Sequence, residues 1–433
     1  MNVILAKTET GRAVDNLFTV ARDRLPGTGK VIDVRRQAFE AYERTGLPHR
    51  RIEEWKYTDL RALMREVRPL APGPDAAAIG RARAALEPIA IDGATKLVLV
   101  DGVFVAELSD AVSGGVNVRS LREALEAGAS DLLEDSVKDA MVSLNAALAT
   151  DGVMVGVADG AVPAQPIQII HVATASTASA FTRSQVKIGK GARVTLVENF
   201  IAAGGKAYQA HDAMLLSLGD DAELTQVRLM ADSADAANIS SAIFDAGARA
   251  KFNLFNLTAG GAVSRYQGFV TLAGEGTELN INGVNLLNGS QHGDTTLVVD
   301  HAVPHCTSRE NFRAVIDDRA HSVFQGRIIV RPGAQKTDGK MMTRALLLSD
   351  EAEADNKPEL EIFADDVTCG HGATSGALDE SLLFYLRARG LPEKAAQALL
   401  IQAFVGEAIE GIADDDLREA VMATAERWLE ARA

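Results

Sequence analysis

Four Gly-rich turns, each followed by an apolar run with strand character, recur along the middle of the chain: GKGARVTL, GDDAELTQV, GARAKFNLF and GEGTELNI. Aligned on the small residues that head the runs, Ala192, Ala222, Ala250 and Thr277, they stand roughly 27 to 30 residues apart, a spacing in the range of solenoid repeats. A unit of that length cannot bury its own apolar face, so successive copies must stack to make one continuous core. The period therefore predicts a right-handed parallel β-helix, whose coils each contribute short strands to parallel sheets without crossover helices. An antiparallel sandwich is the rival, but its turn signals come about every 8 to 12 residues with no longer period.

The β texture spans residues 152–375, where short alternating or β-branched runs are bounded by Gly, Asn and Asp. Residues 1–151 read as a mostly helical N-terminal domain, with RRQAFEAYERTG and SLREALEAGASDLLEDSVKDAMVSLNAALA as its clearest helical segments and TKLVLVDGVFVAEL as strand. Residues 376–433 read as a C-terminal helical domain. There Gly390 and Pro392 mark a tight turn between two helices, the second beginning at Pro392. Leu399, Leu400, Phe404 and Ile409 form an apolar stripe on that second helix. The expected architecture is mainly β, a solenoid core flanked by two helical domains.

Charge narrows the partners. With 59 acidic against 44 basic residues the chain carries a net charge of -15, which repels phosphate backbones and anionic lipid surfaces, so neither nucleic acid nor membrane is an expected partner. No apolar stretch approaches the roughly 18 to 20 residues of a membrane span. The opening segment MNVILAKTETGRAV lacks the basic, apolar, small-residue order of an export signal, and two cysteines cannot make a disulfide framework. The expected location is a reducing cytoplasm.

Self-contained catalysis finds little support. GTGK at 27–30 lacks both the earlier glycine of a phosphate loop, replaced by Arg24, and the following Ser or Thr, replaced by Val31, so no nucleotide is expected on this chain. HExxH, CxxC and GxSxG are all missing, so the chain is read as non-enzymatic. Two neighbourhoods concentrate metal-capable side chains. His292, His301, His305 and Cys306 lie in QHGDTTLVVDHAVPHC, a set suited to borderline metals but spaced like no standard finger, and because alternate strand residues face opposite sides a structural or interface role is the preferred reading over direct ligation. Cys369 and His371 flank Gly370 in DDVTCGHGAT. Two residues apart on an extended backbone they project to one side and could meet one metal or sulfur atom, as half of a tetrahedral set.

At this second motif, KPELEIFADDVTCGHGATSG followed by LLFYLRARGL closely resembles the SufB and SufD family of iron-sulfur cluster assembly proteins. The resemblance runs back through SRENFRAVIDDRAHSVFQGRIIVRPGAQKTDGK and LLLSDEAEAD to GLPHRRIEEWKYTDL near the N-terminus, and covers nearly the whole chain. SufB-type members carry His-Glu-Ala-Thr in the motif, whereas His371 here is followed by Gly372, Ala373 and Thr374, and the scaffold cysteine of SufB falls near Ala352. Both differences resemble the SufD branch. The aromatic and lysine usual after the SxxN-type element stand here as Phe312 and Arg313.

The resemblance implies the same three-part fold, pairing with SufB through the β-helices, and one copy of the ATPase SufC held by the C-terminal helical domain. It also implies a transient iron-sulfur cluster shared with SufB. His371 is then the residue expected to face SufB at the cluster-building site, with Cys369 beside it, and the energy input comes from SufC. Uncapped sheet edges also favour a homodimer when SufB is absent. The alternative is a purely structural adaptor that positions SufB and SufC without contacting the cluster. A solenoid enzyme acting on acidic polysaccharide is disfavoured by the charge and the missing export signal.

Overall fold

The computed structural model of the chain describes residues 9–64, 66–134 and 136–432; the first eight residues of the segment weighed for an export signal lie outside them. Nineteen strands are present among the described residues: β1 (Thr95–Val100), β2 (Val103–Phe104), β3 (Val116–Ser120), β4 (Val153–Val157), β5 (Ile167–Ala173), β6 (Ser179–Ile188), β7 (Arg193–Ala202), β8 (Gln209–Leu218), β9 (Glu223–Ala231) and β10 (Ala237–Ala246). They continue with β11 (Lys251–Thr258), β12 (Val263–Leu272), β13 (Glu278–Leu287), β14 (His292–His301), β15 (Thr307–Ile316), β16 (His321–Val330), β17 (Asp338–Leu347), β18 (Glu353–Ile362) and β19 (Thr368–Gly376). Odd-numbered strands from β5 to β19 stack in one sheet and even-numbered strands from β4 to β18 in the other, so each coil contributes one strand to each. From β5 and β4 onward neighbours within a sheet are parallel, giving a β-solenoid of about eight turns.

The four aligned runs are β7, β9, β11 and β13, adjacent in one sheet, with Arg193, Glu223, Lys251 and Glu278 in register. Before each comes a residue in the left-handed conformation, Gly191, Asp221, Arg249 and Gly276 in turn. The small residue that follows it, at Ala192, Ala222, Ala250 and Thr277, is fully buried. The ladder continues for two more rungs, Cys306 after left-handed His305 and Thr337 after left-handed Lys336. A side chain at positive φ is strained unless its surroundings hold it. Here the next coil does so: the backbone N–H groups of Asp221, Arg249, His305 and Lys336 donate to the carbonyls of Ala248, Glu275, Gln335 and Asp366, at 2.8, 2.9, 3.0 and 2.6 Å.

Inside the solenoid, side chains from alternate positions of both sheets meet. Toward the N-terminal half of the odd-numbered strands the interior is apolar, with Leu196, Leu224, Phe252, Leu279, Leu216 and Phe244 in one buried cluster. Gly283 is required in this wall, since a Cβ there would lie 2.2 Å from the Phe312 ring.

Helices flank this body: α1 (Glu9–Ala21), α2 (Lys30–Glu43), α3 (Leu60–Leu63), α4 (Ala76–Leu86), α5 (Leu121–Glu126) and α6 (Ala140–Leu148) before it, and α7 (Glu380–Ala388), α8 (Glu393–Ile409) and α9 (Asp415–Arg432) after it. Buried Arg35 on α2 donates to the carbonyls of Ala147 and Ala149 at the end of α6, at 3.0 and 2.9 Å, where a cation satisfies the helix's last acceptors. β1 and β3, both earlier than residue 152, pair with β5 and β4 and extend the two sheets. The segment GLPHRRIEEWKYTDL crosses the outer face of the β18 sheet as a strap. Its Trp55 ring lies 3.7 Å from the Arg265 guanidinium, Glu54 O accepts from Arg265 and Gln325, and Glu53 pairs with Lys357 on β18.

The C-terminal helices lie along the outer face of the β7 to β17 sheet. Ile401, Val405, Ala408 and Ile409 of α8 and Val421, Ala425 and Trp428 of α9 pack on Val227, Phe255, Leu257, Val284 and Val315. The expected stripe is thus shifted: Ile409 is buried, but Leu399 is 45% exposed and Ile401 and Val405 take the inward positions. Arg313 pins this contact. Its Nη1 donates to Phe404 O at 2.6 Å, its Nη2 pairs with Glu407, and its guanidinium lies 4.8 Å from the Phe404 ring. The planar fork reaches two acceptors at once, a geometry that lysine lacks. Arg313→Ala is expected to destabilise the docked helices by about 2 kcal/mol, the worth of hydrogen bonds to a charged group. Amide hydrogen exchange should show α8 and α9 losing protection while β9 to β13 keep theirs; unchanged exchange in α8 would contradict the assignment.

Candidate functional site

The solenoid ends at β18 and β19. Among the described residues β18 pairs only with β16 and β19 only with β17, so two neighbouring sheets both present an unpaired strand edge at this end. Ile362, at the end of β18, and Phe363 beside it are apolar and exposed, Phe363 at 60%.

Cys369 and His371 lie on β19. Parallel register carries Cys369 onto Gly339 and Ser308, and His371 onto Met341 and Glu310. Ser308, Glu310 and Met341 are buried inside the coils beneath, so Cys369 and His371 occupy interior positions of a coil that nothing covers. Cys369 is accordingly half-buried and packed on the core, and His371 is exposed. Their two-residue spacing places both side chains on the same face of the strand.

Burial pushes the Cys369 thiol above its ordinary range, and the charges of Asp338 and Glu310 add to this, against a hydrogen bond from the Gly339 N–H. Burial also pushes the Glu310 carboxyl up to about 8. At neutral pH the thiol and the carboxyl beneath it therefore both hold protons. A metal ion bound to the Cys369 sulfur would displace the thiol proton, so such binding would release a proton and strengthen as pH rises. One thiolate and one imidazole are half of a tetrahedral set, and the uncovered coil leaves space for further ligands.

The other four candidate ligands do not converge. His292 and His301 are the first and last residues of β14, about 30 Å apart at the rise of an extended strand. His292 is held by Thr58 Oγ1 of the strap at 2.9 Å, and burial lowers its pKa to about 4. His301 contacts Ser308 Oγ at 3.0 Å and is likewise lowered to about 4 by burial. His305 occupies a left-handed turn position, with its ring 3.8 Å from Glu275. Cys306 is a buried rung of the small-residue ladder, its Sγ 3.3 Å from Gly274 O. The stacking of the coils accounts for each of the four separately.

Two triads bring potential ligand atoms within 4.8 Å of one another among the described residues: His171, Glu198 and Asp212, and His321, Glu353 and Asp355. Sequence spacing does not announce the first, whose members come from three strands, and in the second only Glu353 and Asp355 share a strand, with His321 brought to them from β16. The one available signal was Glu198, a charge set in the apolar strand VTLVENF at an interior-facing position.

The chain is thus a parallel β-solenoid whose terminal edge carries a thiol and an imidazole, and comparison with known proteins identifies its family. Residues 171–404 match the model described as SUF system FeS cluster assembly, SufBD core domain, and residues 14–68 and 90–169 match the SufBD protein N-terminal region. The chain belongs to the SufBD family of iron-sulfur cluster assembly proteins of the SUF system. Within it the chain is of the SufD type: it is 32% identical over 391 residues to the iron-sulfur cluster assembly protein SufD of Escherichia coli, covering 89% of this chain and 90% of that one. It is 28% identical over 402 residues to a SufBD family protein of Synechocystis, covering 88% and 87% of the two chains. With the SufD of Bacillus subtilis it shares 27% over 324 residues, 69% and 70% of the two chains.

The two cysteines differ in access, which alkylation tests. Iodoacetamide is expected to label Cys369 alone in the folded chain, with a rate that climbs through a midpoint above the ordinary thiol range of about 8.5. Cys369→Ser should remove that labelling. Two thiols labelled at equal rates, or a midpoint below the ordinary value, would contradict the placement.

Proposed function

We propose that this SufD-type chain is a non-enzymatic co-scaffold, which pairs with SufB along its open solenoid edge and contributes His371, with Cys369, to a nascent iron-sulfur cluster held between the two chains. The observation that carries the reading is the position of Cys369 and His371 on the uncovered terminal strand β19. An exposed edge strand completes its hydrogen bonds by adding a strand from another chain. The ligands it bears then meet those of the partner.

Docking of SufC on the C-terminal helices is the second part of the reading. None of the side chains of α7 is buried, and Leu382, Phe384 and Tyr385 are exposed, Phe384 at 75%. Contiguous exposed aromatic and aliphatic surface marks a protein-binding face. With α8 and α9 fixed to the sheet through Arg313 and the apolar contact, a displacement of docked SufC is passed to the solenoid wall. ATP binding by paired SufC subunits would in this way shift the edge at β18 and β19 and open His371 toward SufB. No helix among the described residues is long and apolar enough to cross a membrane, and we place the complex in the reducing cytoplasm, where the Cys369 thiol survives.

Anaerobic co-purification tests both parts. Tagged chain should recover SufB and SufC together with iron and sulfide. His371→Ala should keep both partners and lose most of the iron and sulfide; full retention of metal in that variant would leave the adaptor role in its place. Phe384→Asp combined with Tyr385→Asp should lose SufC and keep SufB. Retained SufC would refute the docking face.

A further inference from the structure

At the other end of the solenoid from Cys369 and His371, side chains from three strands meet: half-buried His171 on β5 and buried Glu198 on β7 and Asp212 on β8. We propose that they form a binding site for a divalent first-row transition cation, held by one imidazole nitrogen and two carboxylates.

The argument rests first on unpaired atoms. His171 Nε2 and Glu198 Oε1 are both buried without a hydrogen-bond partner, and Glu198 is only 1% exposed. Buried polar atoms are nearly always paired, so two orphans in one place point to a missing ligand. One ligand atom from each of the three residues, a ring nitrogen of His171 and a carboxylate oxygen of Glu198 and of Asp212, lies within 4.8 Å of the other two. Ligand atoms about 2.1 Å from a tetrahedral ion stand about 3.4 Å apart, so the set closes on an ion by roughly an ångström of side-chain movement.

The surroundings are those of a ligand shell. Phe200 stacks on the His171 ring, 4.3 Å between centroids and 6° from parallel, which restrains the plane of the imidazole. Gln226 donates to Glu198 Oε2 at 2.5 Å and Thr182 donates to Asp212 Oδ1 at 2.8 Å, leaving the other oxygens for the ion. Arg228 directs its Nη atoms to Asn256 and Ser240, at 3.1 and 2.6 Å. It offsets part of the negative charge and occupies neither orphan atom. Such outer contacts orient metal ligands and are part of a site.

Space and access are also present. A cavity of about 40 Å³ is lined by His171 and Asp212 and not by Glu198, so it adjoins the triad on the imidazole side; it exceeds the roughly 10 to 15 Å³ that one water-sized occupant needs. His171 and the lining residues Ala173 and Ala180 are only half-buried, so the way in runs past the imidazole. One nitrogen and two carboxylate oxygens, with no thiol, suit Fe²⁺, Mn²⁺, Co²⁺ or Zn²⁺ over Cu⁺.

The test uses the full chain carrying Cys369→Ala and His371→Ala, so that the terminal motif contributes nothing, titrated anaerobically with Fe²⁺ and separately with Co²⁺. One equivalent of each is expected, and Co²⁺ should give d–d bands without near-ultraviolet thiolate charge transfer. Glu198→Gln and, independently, Asp212→Asn each keep the shape of the side chain and should weaken binding at least about tenfold, a lower bound set by what even outer contacts of a metal site contribute, while far-ultraviolet circular dichroism is unchanged. Failure of the unsubstituted triad to bind either ion, or binding of unchanged affinity in both variants, overturns the proposal.

Discussion

Parallel strand pairing from coil to coil is the interaction on which everything else in this molecule depends. Each coil satisfies its backbone on the coil below and presents an identical row of donors and acceptors to the coil above. The period of the sequence, the ladder of small residues after left-handed turns, and the continuous interior all follow from that stacking. So does the character of the last coil, which has a neighbour on one side only. Among the described residues no further strand covers the last coil, so two strand edges are left open at that end, and Cys369 and His371 sit on one of them.

The same stacking explains why the core was legible in the sequence and part of the site was not. Alignment of Ala192, Ala222, Ala250 and Thr277 found four strands that are true neighbours in one sheet. Following that ladder one rung further reaches Cys306, and the residue before it, His305, falls on the left-handed turn. Those two residues look like metal ligands when read along the chain and like repeat positions when read across the coils. His292 and His301 were misleading for a related reason, since proximity in sequence on an extended strand becomes distance in space. The triad of His171, Glu198 and Asp212 is the converse: residues of separate coils brought together by stacking, with the charge of Glu198 inside an apolar strand as the one local signal. Cys369 and His371 were legible because both lie on a single strand, where two-residue spacing does fix a common face.

On the helical side, apolar periodicity located α8 but rotated its buried stripe by about one position, because the contact is made with a flat sheet and not with another helix. Burial there is chosen by the rows of Val227, Phe255, Leu257 and Val284 on the sheet, which no helical pattern encodes. Arg313 belongs to the same surface. The sequence marked it only as an arginine where lysine is usual; its fork reaches both Phe404 O and Glu407, and that places it as the pin between solenoid and helices.

These elements give one physical account, in which a rigid stack passes motion from helices docked along its side to an unpaired edge that carries a protonated thiol and an exposed imidazole. Its central claim is that the edge formed by β18 and β19 is where SufB adds to the molecule. Amide hydrogen exchange of the chain alone and in complex with SufB tests this most directly. The account predicts new protection concentrated in Glu353–Ile362 and Thr368–Gly376, and protection confined to the helical domains or to the opposite end of the solenoid would contradict it.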